Sequence, residues 1–503
     1  MNSRPNSKPY APGRLHPVDV TALRHLGFPL QHLTADSRQV LPGMTFAAFP
    51  GVHTDGRCFI AQAIDRGAAS VLWEQENFHW EQGWHVPNQG IAGLRSQISS
   101  IAGQVYGNPS HHVWVVGITG TNGKTSCSHW LAQLMQECGK PCAVVGTLGN
   151  GWPGRLEATE HTTPDAIAVQ AQLGQFREQG AWGCAMEVSS HGLEQERVAG
   201  VRFRGAVFTN LSQDHLDYHG NMAAYGAAKT LLFQAEGLEF AVINLDDDFG
   251  LTLARQTVNR GVRVVGYSIG SARAPEGALM LRAEKLVPGA AGTHFIVNGH
   301  WGQAQVSVSV AGRFNVSNLL AVMGAALMGG LTFPQVCAGI ARLQAPPGRL
   351  EHLGGGSRPH VVIDYAHTPD ALEKVLLALR ETVPSGHALI CVFGCGGNRD
   401  TGKRPLMGAI AERYADHVVL TSDNPRNESP EHILDQIASG MSRPFVRIVD
   451  RREAIFQAIS QAQPGDVVLI AGKGHEASQE AAGQKLPFSD REEATRALSG
   501  VFP

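Results

Sequence analysis

The sequence lacks any concentration of basic residues. Its 503 residues include 41 Lys and Arg against 44 Asp and Glu, which leaves a formal net charge of −3 and no basic stripe. Binding to the phosphate backbone of a nucleic acid requires such a stripe, so we predict no nucleic-acid partner. No apolar stretch follows the N-terminal charges either. The sequence therefore predicts no secretory signal peptide and a cytoplasmic location.

Long hydrophobic runs are also scarce. One uncharged segment, Phe314 to Ala341, contains Asn315, Asn318, a proline and four glycines. This segment is too polar and too interrupted to span a bilayer. We predict a buried helix, a break near Gly329-Gly330 and a second helix, with no membrane span.

Paired cysteine motifs are missing, since the eight cysteines never form C-x-x-C. In a chain without an export signal they are predicted to be reduced thiols rather than disulfides or metal ligands. The composition is 43% hydrophobic and 17% charged, which indicates a globular protein. At a typical ~150 residues per domain, the length predicts about three domains.

Apolar runs of strand length alternate with helical patterns after residue 110, which predicts α/β domains with mostly parallel sheets. Turn-rich segments near residues 107–110 and 345–348 mark boundaries, so we predict domains at 1–110, 111–346 and 347–503. Open α/β sheets bind ligands beyond the carboxyl ends of their strands. The predicted strands are Val113–Thr119, Cys184–Met186, Gly205–Phe208, Phe240–Ile243, His360–Ile363, Ala388–Phe393, His417–Leu420 and Asp466–Ile470.

The glycine-rich segment GTNGKTS, residues 120–126, follows a predicted strand and precedes a predicted helix. Backbone N–H groups of such a loop bind phosphates, while Lys124 supplies a positive charge and Thr125 a hydroxyl for magnesium. The general P-loop pattern requires glycine at position 118, where this chain has Ile118. A turn that only caps a helix therefore remains an alternative.

Carboxylates and imidazoles follow the next two predicted strands. Glu187 ends one strand and is a suitable hard oxygen ligand for magnesium together with Thr125, although it could also be a solvated strand end. His215 and His219 stand four residues apart, as in a zinc helix. Leu216 occupies the place of the general-base Glu, which counts against a zinc hydrolase.

A series of motifs resembles the Mur ligase family in order and spacing. This resemblance implies a UDP-binding N-terminal α/β domain, a central P-loop ATPase-type domain and a C-terminal Rossmann-like domain that binds an amino acid. The motifs are GTNGKTS, EVSSHGL, TNLSQDHLDYHG, YGAAKTLLF, GRFNVSNLLA, PGRLE, DYAHTPDAL, GCGGNRDTGKRPLM, TSDNPR and AGKGHE, between residues 120 and 476.

The resemblance is to the branch that adds meso-2,6-diaminopimelate to UDP-N-acetylmuramoyl-L-alanyl-D-glutamate for peptidoglycan. It implies that ATP phosphorylates the D-glutamyl γ-carboxylate and that the incoming amine displaces phosphate. It also implies Mg²⁺ as cofactor, bound by Thr125, Glu187, His215 and Lys229, with Lys229 carbamylated to N6-carboxylysine. The implied catalytic residues are Lys124, Glu187, His215 and Lys229.

Binding residues are carried over position by position from the same resemblance. ATP contacts are expected at Gly120, Thr121, Asn122, Gly123, Lys124, Thr125, Ser126, Asn315, Asn318, Arg349, Asp364 and His367. UDP-substrate contacts are expected at Ser37, Val52, His53, Thr54, Thr162, Thr163, Ser189, Gln195 and Arg197. Diaminopimelate contacts are expected at Arg399, Asp423, Asn424, Pro425, Arg426, Gly472 and Glu476.

Specificity is expected to come from Arg426, whose planar guanidinium can grip the distal carboxylate of diaminopimelate. Glu476 is expected to receive the distal ammonium. The chain departs from the family pattern at Ser126, a conservative change, and at His161, where asparagine is usual. The tail of residues 1–15 has no family counterpart, and its composition predicts disorder.

Other functions remain open at the level of sequence. A sister ligase could add L-lysine, or glutamate to folate, but Arg426 and the UDP-type motifs argue against both. A P-loop switch or motor would explain residues 117–215 and leave the C-terminal motifs without a role. A nucleotide-binding scaffold without turnover is a third alternative. We expect a monomer.

Overall fold

The computed structural model of the protein describes residues 17–51, 54–289 and 292–500. The predicted disordered tail and two predicted UDP contacts, Val52 and His53, lie outside these residues. The chain divides into two compact units. The first unit ends at Val113 and adds two later segments, Pro164–Gly180 and Gly192–Arg202; the second unit holds the remaining chain from Trp114 onward.

Sixteen α-helices lie in the described part of the chain. Several begin at side-chain caps: Asp165, for example, accepts bonds from two backbone N–H groups at the start of α5. The helices are α1 Val20–His25, α2 Ile60–Asp65, α3 Leu94–Val105, α4 Lys124–Glu137, α5 Ala166–Glu178, α6 Ser190–Glu194, α7 Leu216–His219, α8 Met222–Phe233, α9 Asp248–Asn259, α10 Arg313–Met328, α11 Phe333–Ile340, α12 Pro369–Arg380, α13 Lys403–Tyr414, α14 Pro430–Ala438, α15 Arg451–Gln461 and α16 Asp490–Leu498.

The first unit contains a four-stranded parallel sheet in the order β1-β2-β3-β4. Alternate residues of its strands enter two different cores, because a parallel sheet is buried on both faces. Ala47 and Leu72 join one core, and Phe46 and Val71 join the other. The strands are β1 Leu33–Thr34, β2 Thr45–Ala48, β3 Ser70–Glu74 and β4 Asn88–Ile91.

The second unit contains an eleven-stranded sheet in the order β15-β14-β13-β12-β11-β10-β5-β9-β6-β7-β8. Its central strands are parallel, and an antiparallel hairpin arrangement extends each end. The strands are β5 Trp114–Thr119, β6 Cys142–Gly146, β7 Gly149–Trp152, β8 Arg155–Glu157, β9 Gly183–Glu187, β10 Gly205–Phe208, β11 Phe240–Asn244, β12 Arg263–Ser268, β13 Leu279–Gly289, β14 Gly292–Gly299 and β15 Gly302–Val308.

The same unit contains a six-stranded sheet in the order β16-β17-β21-β18-β19-β20 and a separate hairpin of β22 and β23. Only the edge strand β16 runs antiparallel to its neighbour in the six-stranded sheet. The strands are β16 Glu351–Gly354, β17 His360–Asp364, β18 Leu389–Phe393, β19 His417–Leu420, β20 Val446–Arg447, β21 Val467–Ala471, β22 Ser478–Ala481 and β23 Gln484–Pro487.

The α/β prediction is confirmed, and each predicted domain range contains one of the three large sheets. The domain boundaries themselves stay predictions. The uncharged segment forms α10 and α11 with a break at the paired glycines, as expected. All eight cysteines are free thiols, and five of them are buried. Within the described ranges, no helix is both long and apolar enough to cross a bilayer.

Candidate functional site

Three predicted motifs meet at one edge of the eleven-stranded sheet. β5 lies between β9 and β10 and is parallel to both. The glycine-rich loop follows β5, Glu187 ends β9, and the segment from Thr209 to His215 follows β10. Because the carboxyl ends of parallel strands share one edge, these groups converge there.

Two glycines of the loop have no room for a side chain. A Cβ on Gly120, at φ +149°, would lie 1.9 Å from Thr209 Oγ1. A Cβ on Gly123, at φ +87°, would lie 2.5 Å from Asn318 Oδ1. Both backbone conformations and both close approaches favour glycine. The loop and α4 therefore have the strand-to-helix geometry of a phosphate-binding loop despite Ile118.

Two lysines converge on one backbone carbonyl of this loop. Lys124 Nζ donates to the carbonyls of Gly120 and Thr121 at 2.9 Å, and Lys229 Nζ donates to Gly120 at 2.8 Å. Lys229 is buried and lies 4.3 Å from the centre of the Tyr225 ring. Burial, with the neighbouring Lys124 charge, places the pKa of Lys229 well below its usual value; burial also lowers the pKa of Lys124.

Glu187 is fixed by hydroxyl and backbone donors. Thr125 Oγ1 donates to its carboxylate at 3.0 Å, and Thr147 donates from its backbone N–H at 2.9 Å and its hydroxyl at 3.0 Å. Arg349 Nη2 donates to Thr125 Oγ1 at 3.0 Å. These hard oxygens suit a magnesium ion. Sequence reasoning missed Thr147, because a threonine after a strand carries no distinguishing signal.

The position of Glu187 depends on a glycine in the neighbouring strand. A Cβ on Gly146 would lie 2.2 Å from Glu187 Oε1, closer than atoms in contact approach. We expect Gly146→Ala to displace this carboxylate and to lower ATP-dependent phosphate release at least about tenfold, since a 1 Å displacement in a catalytic site costs up to ~100-fold. Gly83→Ala is the matched control, because Gly83 has open space around it. A folded Gly146→Ala protein with an unchanged rate would contradict this account.

His215 belongs to a cluster around a buried carboxylate that the sequence prediction omitted. Asp214 lies 3.4 Å from His215 Nε2, 3.8 Å from His367 Nε2 and 3.9 Å from Lys403 Nζ. Burial opposes ionisation of Asp214, but the hydrogen bond with His367 and the nearby positive groups hold its pKa below the usual range. Burial lowers the pKa of His215. Asp214 could have been predicted from the sequence, because it directly precedes His215 in the TNLSQDHLDYHG motif.

A zinc site at His215 and His219 is not supported. Across the described ranges, no group of three or more His, Cys, Asp or Glu side chains is placed to hold a metal ion. His219 Nε2 lies 2.9 Å from the Ser190 hydroxyl, and His215 adopts the left-handed conformation at φ 55° before α7. His215 therefore lies directly before the helix that contains His219.

Beside the glycine-rich loop lies a cavity of about 580 Å³ within the second unit. Its wall includes the start of α10, the end of β17 and part of α12, and Asn122 Nδ2 donates to Asp370 Oδ2 at 2.8 Å nearby. Seven of the predicted ATP contacts line the cavity: Asn122, Gly123, Ser126, Asn315, Asn318, Arg349 and Asp364. His367 belongs to the Asp214 cluster instead.

The predicted amino-acid contacts gather beyond the six-stranded sheet. Asn424 Nδ2 donates to Glu476 at 2.8 Å, and Lys473 Nζ donates to both Asn424 Oδ1 and Glu476. A Cβ on Gly472, at φ +113°, would lie 2.5 Å from Asp423 Oδ2. Lys473 is completely buried and was not predicted, although it lies within the AGKGHE motif.

Arg426 is held at the end of the same loop at φ 52°. Its Nη1 donates to the Gly397 carbonyl at 2.8 Å, and its Nε lies 3.1 Å from Glu480 Oε2. Its side chain is about one-fifth exposed. Arg399 lies exposed in the loop after β18.

A buried ion pair lies behind this loop. Arg451 binds Asp490 through Nε at 2.7 Å and Nη2 at 2.8 Å, and both side chains are completely buried. The guanidinium also donates to the carbonyls of Ser422 and Ala471, the residues immediately before Asp423 and Gly472. The pair therefore fixes two strand ends that carry predicted amino-acid contacts.

The predicted UDP-substrate contacts are divided between the two units. In the first unit, Ser37 Oγ donates to Gln62 at 2.8 Å, and Thr54 is exposed. Arg197, in the same unit, donates twice to Gln195 Oε1, at 3.1 and 2.7 Å. In the second unit the Thr162 hydroxyl lies 3.0 Å from the Thr147 hydroxyl. Thr163 Oγ1 donates to the Glu187 carbonyl at 3.0 Å and lies 3.1 Å from Ser189 Oγ.

Sequence profiles of one family match most of the chain. The Mur ligase middle domain matches residues 118–326, the Mur ligase glutamate ligase domain matches 348–474, and the Mur ligase family catalytic domain matches 29–137. The chain belongs to the Mur ligase family, whose members are ATP-dependent ligases with three α/β domains.

Similar proteins with one shared name cover almost the whole chain. The UDP-N-acetylmuramoyl-L-alanyl-D-glutamate--2,6-diaminopimelate ligase of Chromobacterium violaceum is 50% identical over 96% of this chain and 97% of its own length. The ligase of the same name from Nitrosomonas europaea is 47% identical over 95% of this chain and 94% of its own. A solved structure with this name has 37% identity and a TM-score of 0.66, covering 93% and 95% of the two chains.

A more distant structure shares the fold alone. The MurF ligase of Thermotoga maritima in complex with ADP is 17% identical, with a TM-score of 0.63 over 94% of this chain and 98% of that protein. Its fold agrees with the three-sheet architecture described above.

Proposed function

We propose that this chain adds meso-2,6-diaminopimelate to the D-glutamyl γ-carboxylate of UDP-N-acetylmuramoyl-L-alanyl-D-glutamate, using ATP. The observation that carries the proposal is the loop of Asp423 to Arg426, whose Asn424 donates to Glu476, in a chain that also has a tight glycine-rich loop between β5 and α4. The 50% identity to a ligase named for this reaction, over 96% of the chain, supports it.

ATP is proposed to place its phosphates on the Gly120–Ser126 loop and its nucleoside in the adjoining cavity. Helix α4 begins at Lys124, so its N-terminal N–H groups favour an anion at the loop. The cavity volume of about 580 Å³ is in the usual range for a small-molecule site. The distant ligase structure in complex with ADP is consistent with a nucleotide in this fold.

Magnesium is proposed to be held by Thr125, Glu187, His215 and a carbamylated Lys229. The fit rests on the oxygen donors: the Thr125 hydroxyl lies 3.0 Å from the Glu187 carboxylate. Carbamylation requires a neutral amine, and burial favours that form of Lys229. The ion would neutralise charge on the phosphates of ATP.

The reaction requires little covalent help from the protein. A γ-carboxylate oxygen attacks the terminal phosphorus of ATP, ADP leaves, and the diaminopimelate amine then attacks the acyl phosphate carbon, releasing phosphate and a proton as the amide forms. Catalysis of this kind depends on positioning and charge neutralisation. Lys124 supplies a positive charge at the loop, and Glu187, Asp214 and Thr147 fix the surrounding groups.

The remaining residue assignments are proposals of the same kind. The first unit is proposed to bind the UDP moiety through Ser37 and Thr54, with Val52 and His53 proposed from sequence alone. Thr162, Thr163, Ser189, Gln195 and Arg197 are each proposed, from their positions in the sequence, as contacts of the muramoyl peptide. We further propose domain boundaries near residues 110 and 346, a cytoplasmic location and a monomeric state.

Arg426 provides the specificity test. The purified protein would receive ATP, Mg²⁺ and the UDP-dipeptide substrate with meso-diaminopimelate, L-lysine or no amino acid, and amide formation would be followed by mass. We expect an amide only with diaminopimelate, and we expect Arg426→Ala to raise its KM about tenfold or more, because a charge-assisted bidentate bond is lost.

The outcomes separate the alternatives. Activity with L-lysine alone would assign the chain to a sister ligase, and unchanged discrimination in Arg426→Ala would disprove the carboxylate clamp. Absence of an amide with either amino acid would contradict the ligase proposal. Glu431→Gln is the control variant, since Glu431 is exposed on α14 of the same sheet domain.

A further inference from the structure

Arg426 is paired with an internal carboxylate. Its Nε lies 3.1 Å from Oε2 of Glu480 on β22, and the Glu480 side chain is 46% exposed. The charge that is proposed to recognise the distal carboxylate of diaminopimelate is therefore partly neutralised within the chain itself.

The backbone makes this pairing a fixed feature of the hairpin. Arg426 N–H donates to the Glu480 carbonyl at 3.0 Å, and Glu480 N–H donates to Asn424 Oδ1 at 2.9 Å. Arg426 and Ala481 also form an isolated parallel bridge. These bonds hold the side chains of Arg426 and Glu480 next to each other without depending on the Glu480 carboxylate.

The remaining donors of Arg426 decide where a ligand can bind. Nη1 is used by the Gly397 carbonyl at 2.8 Å. A carboxylate that binds a guanidinium in the forked arrangement uses two parallel N–H groups. The edge formed by Nε and Nη2 does not include the donor used by Gly397, and Glu480 Oε2 lies 3.1 Å from Nε at that edge.

We propose that Glu480 is a positioning residue that competes with the ligand for Arg426: its carboxylate occupies the Arg426 edge before the amino acid binds and is displaced by the distal carboxylate of the incoming diamino diacid. The proposal rests on the proposed function. A ligand with a distal carboxylate breaks the ion pair between Arg426 and Glu480 and forms a new ion pair with Arg426. A diamino acid without that carboxylate leaves the ion pair in place, so Glu480 weakens the binding of the diamino diacid alone.

The test is the Glu480→Gln variant, which keeps the shape and the backbone bonds and removes the charge. An exposed ion pair is a weak competitor, so we expect the KM for meso-diaminopimelate to fall about two- to fivefold, with kcat and the KM for ATP unchanged. Glu492→Gln is the matched control, because Glu492 is an exposed carboxylate on α16 in the same sheet domain. Its KM for diaminopimelate should equal that of the wild type.

A double-mutant cycle tests whether Glu480 changes the diaminopimelate KM through Arg426. If Glu480 acts through Arg426, the Glu480→Gln change should lose its effect on the diaminopimelate KM in an Arg426→Ala background. An unchanged or raised KM in Glu480→Gln, an effect of equal size in the Arg426→Ala background, or an equal gain for L-lysine would each overturn the proposal. Failure of the wild-type protein to use diaminopimelate would instead overturn the proposed function.

Discussion

Lys124→Ala is expected to abolish phosphate release, with a loss of at least about a thousandfold. Lys124 lies at the first position of α4, and its ammonium already reaches over the loop to the Gly120 and Thr121 carbonyls at 2.9 Å. Phosphoryl transfer spreads negative charge over the transferred group, and this ammonium is placed to offset it. The measurement is phosphate release with all three substrates present.

The stability of the same variant separates catalysis from folding. Truncation removes an ammonium whose pKa is lowered by burial, so we expect the fold to persist and the midpoint of thermal unfolding to change little. Lys485→Ala, at an exposed lysine on β23, is the control for loss of one positive charge. A folded Lys124→Ala protein that retained a tenth of the wild-type rate would remove this lysine from the mechanism.

Asp490→Asn is expected to produce the largest loss of stability, about 3–5 kcal/mol in the free energy of unfolding. The substitution leaves the guanidinium of Arg451 fully buried without its counter-charge. That guanidinium also holds the carbonyls of Ser422 and Ala471, so the two strand ends lose a common anchor. Chemical denaturation followed by circular dichroism measures the change.

An exposed pair in the same domain provides the comparison. Arg447 and Asp435 form an ion pair in which the aspartate side chain is 61% exposed. Asp435→Asn should cost at most about 1 kcal/mol, because solvent screens exposed pairs. Equal losses in Asp435→Asn and Asp490→Asn would show that burial of the Arg451 pair has no special importance for stability.

The parallel strands could be predicted because they are buried on both faces. Such strands appear in a sequence as continuous apolar runs, and β10 and β19 have the predicted bounds. The antiparallel arrangement of β13, β14 and β15 was not predicted, because its strands mix polar and apolar residues. In β14, for example, His294 is followed by Phe295. The order of strands in the sheet also depends on tertiary packing that periodicity does not encode.

The site was predictable where a residue type has a chemical role of its own. A lysine after glycines, or an arginine after Asn-Pro, can be assigned to a ligand from the sequence. Asp214, Thr147 and Arg451 were missed because their roles exist only through contacts with residues distant in the chain. Arg399, by contrast, was predicted from a motif and is exposed.

The first unit is assembled from separate parts of the chain, and this has a consequence for its biosynthesis. Ala166 and Ile167 of α5 belong to the same core as Leu94 and Ile98 of α3, and the Gly200 N–H donates to Ser99 Oγ at 2.9 Å. A ribosome must therefore translate the glycine-rich loop and α5 before this core is complete, and β9 before the whole unit is complete. A fragment that ends at residue 110 would expose the face of α3 that α5 covers. The N-terminal unit can therefore reach its final stability only after about ninety further residues have been synthesised.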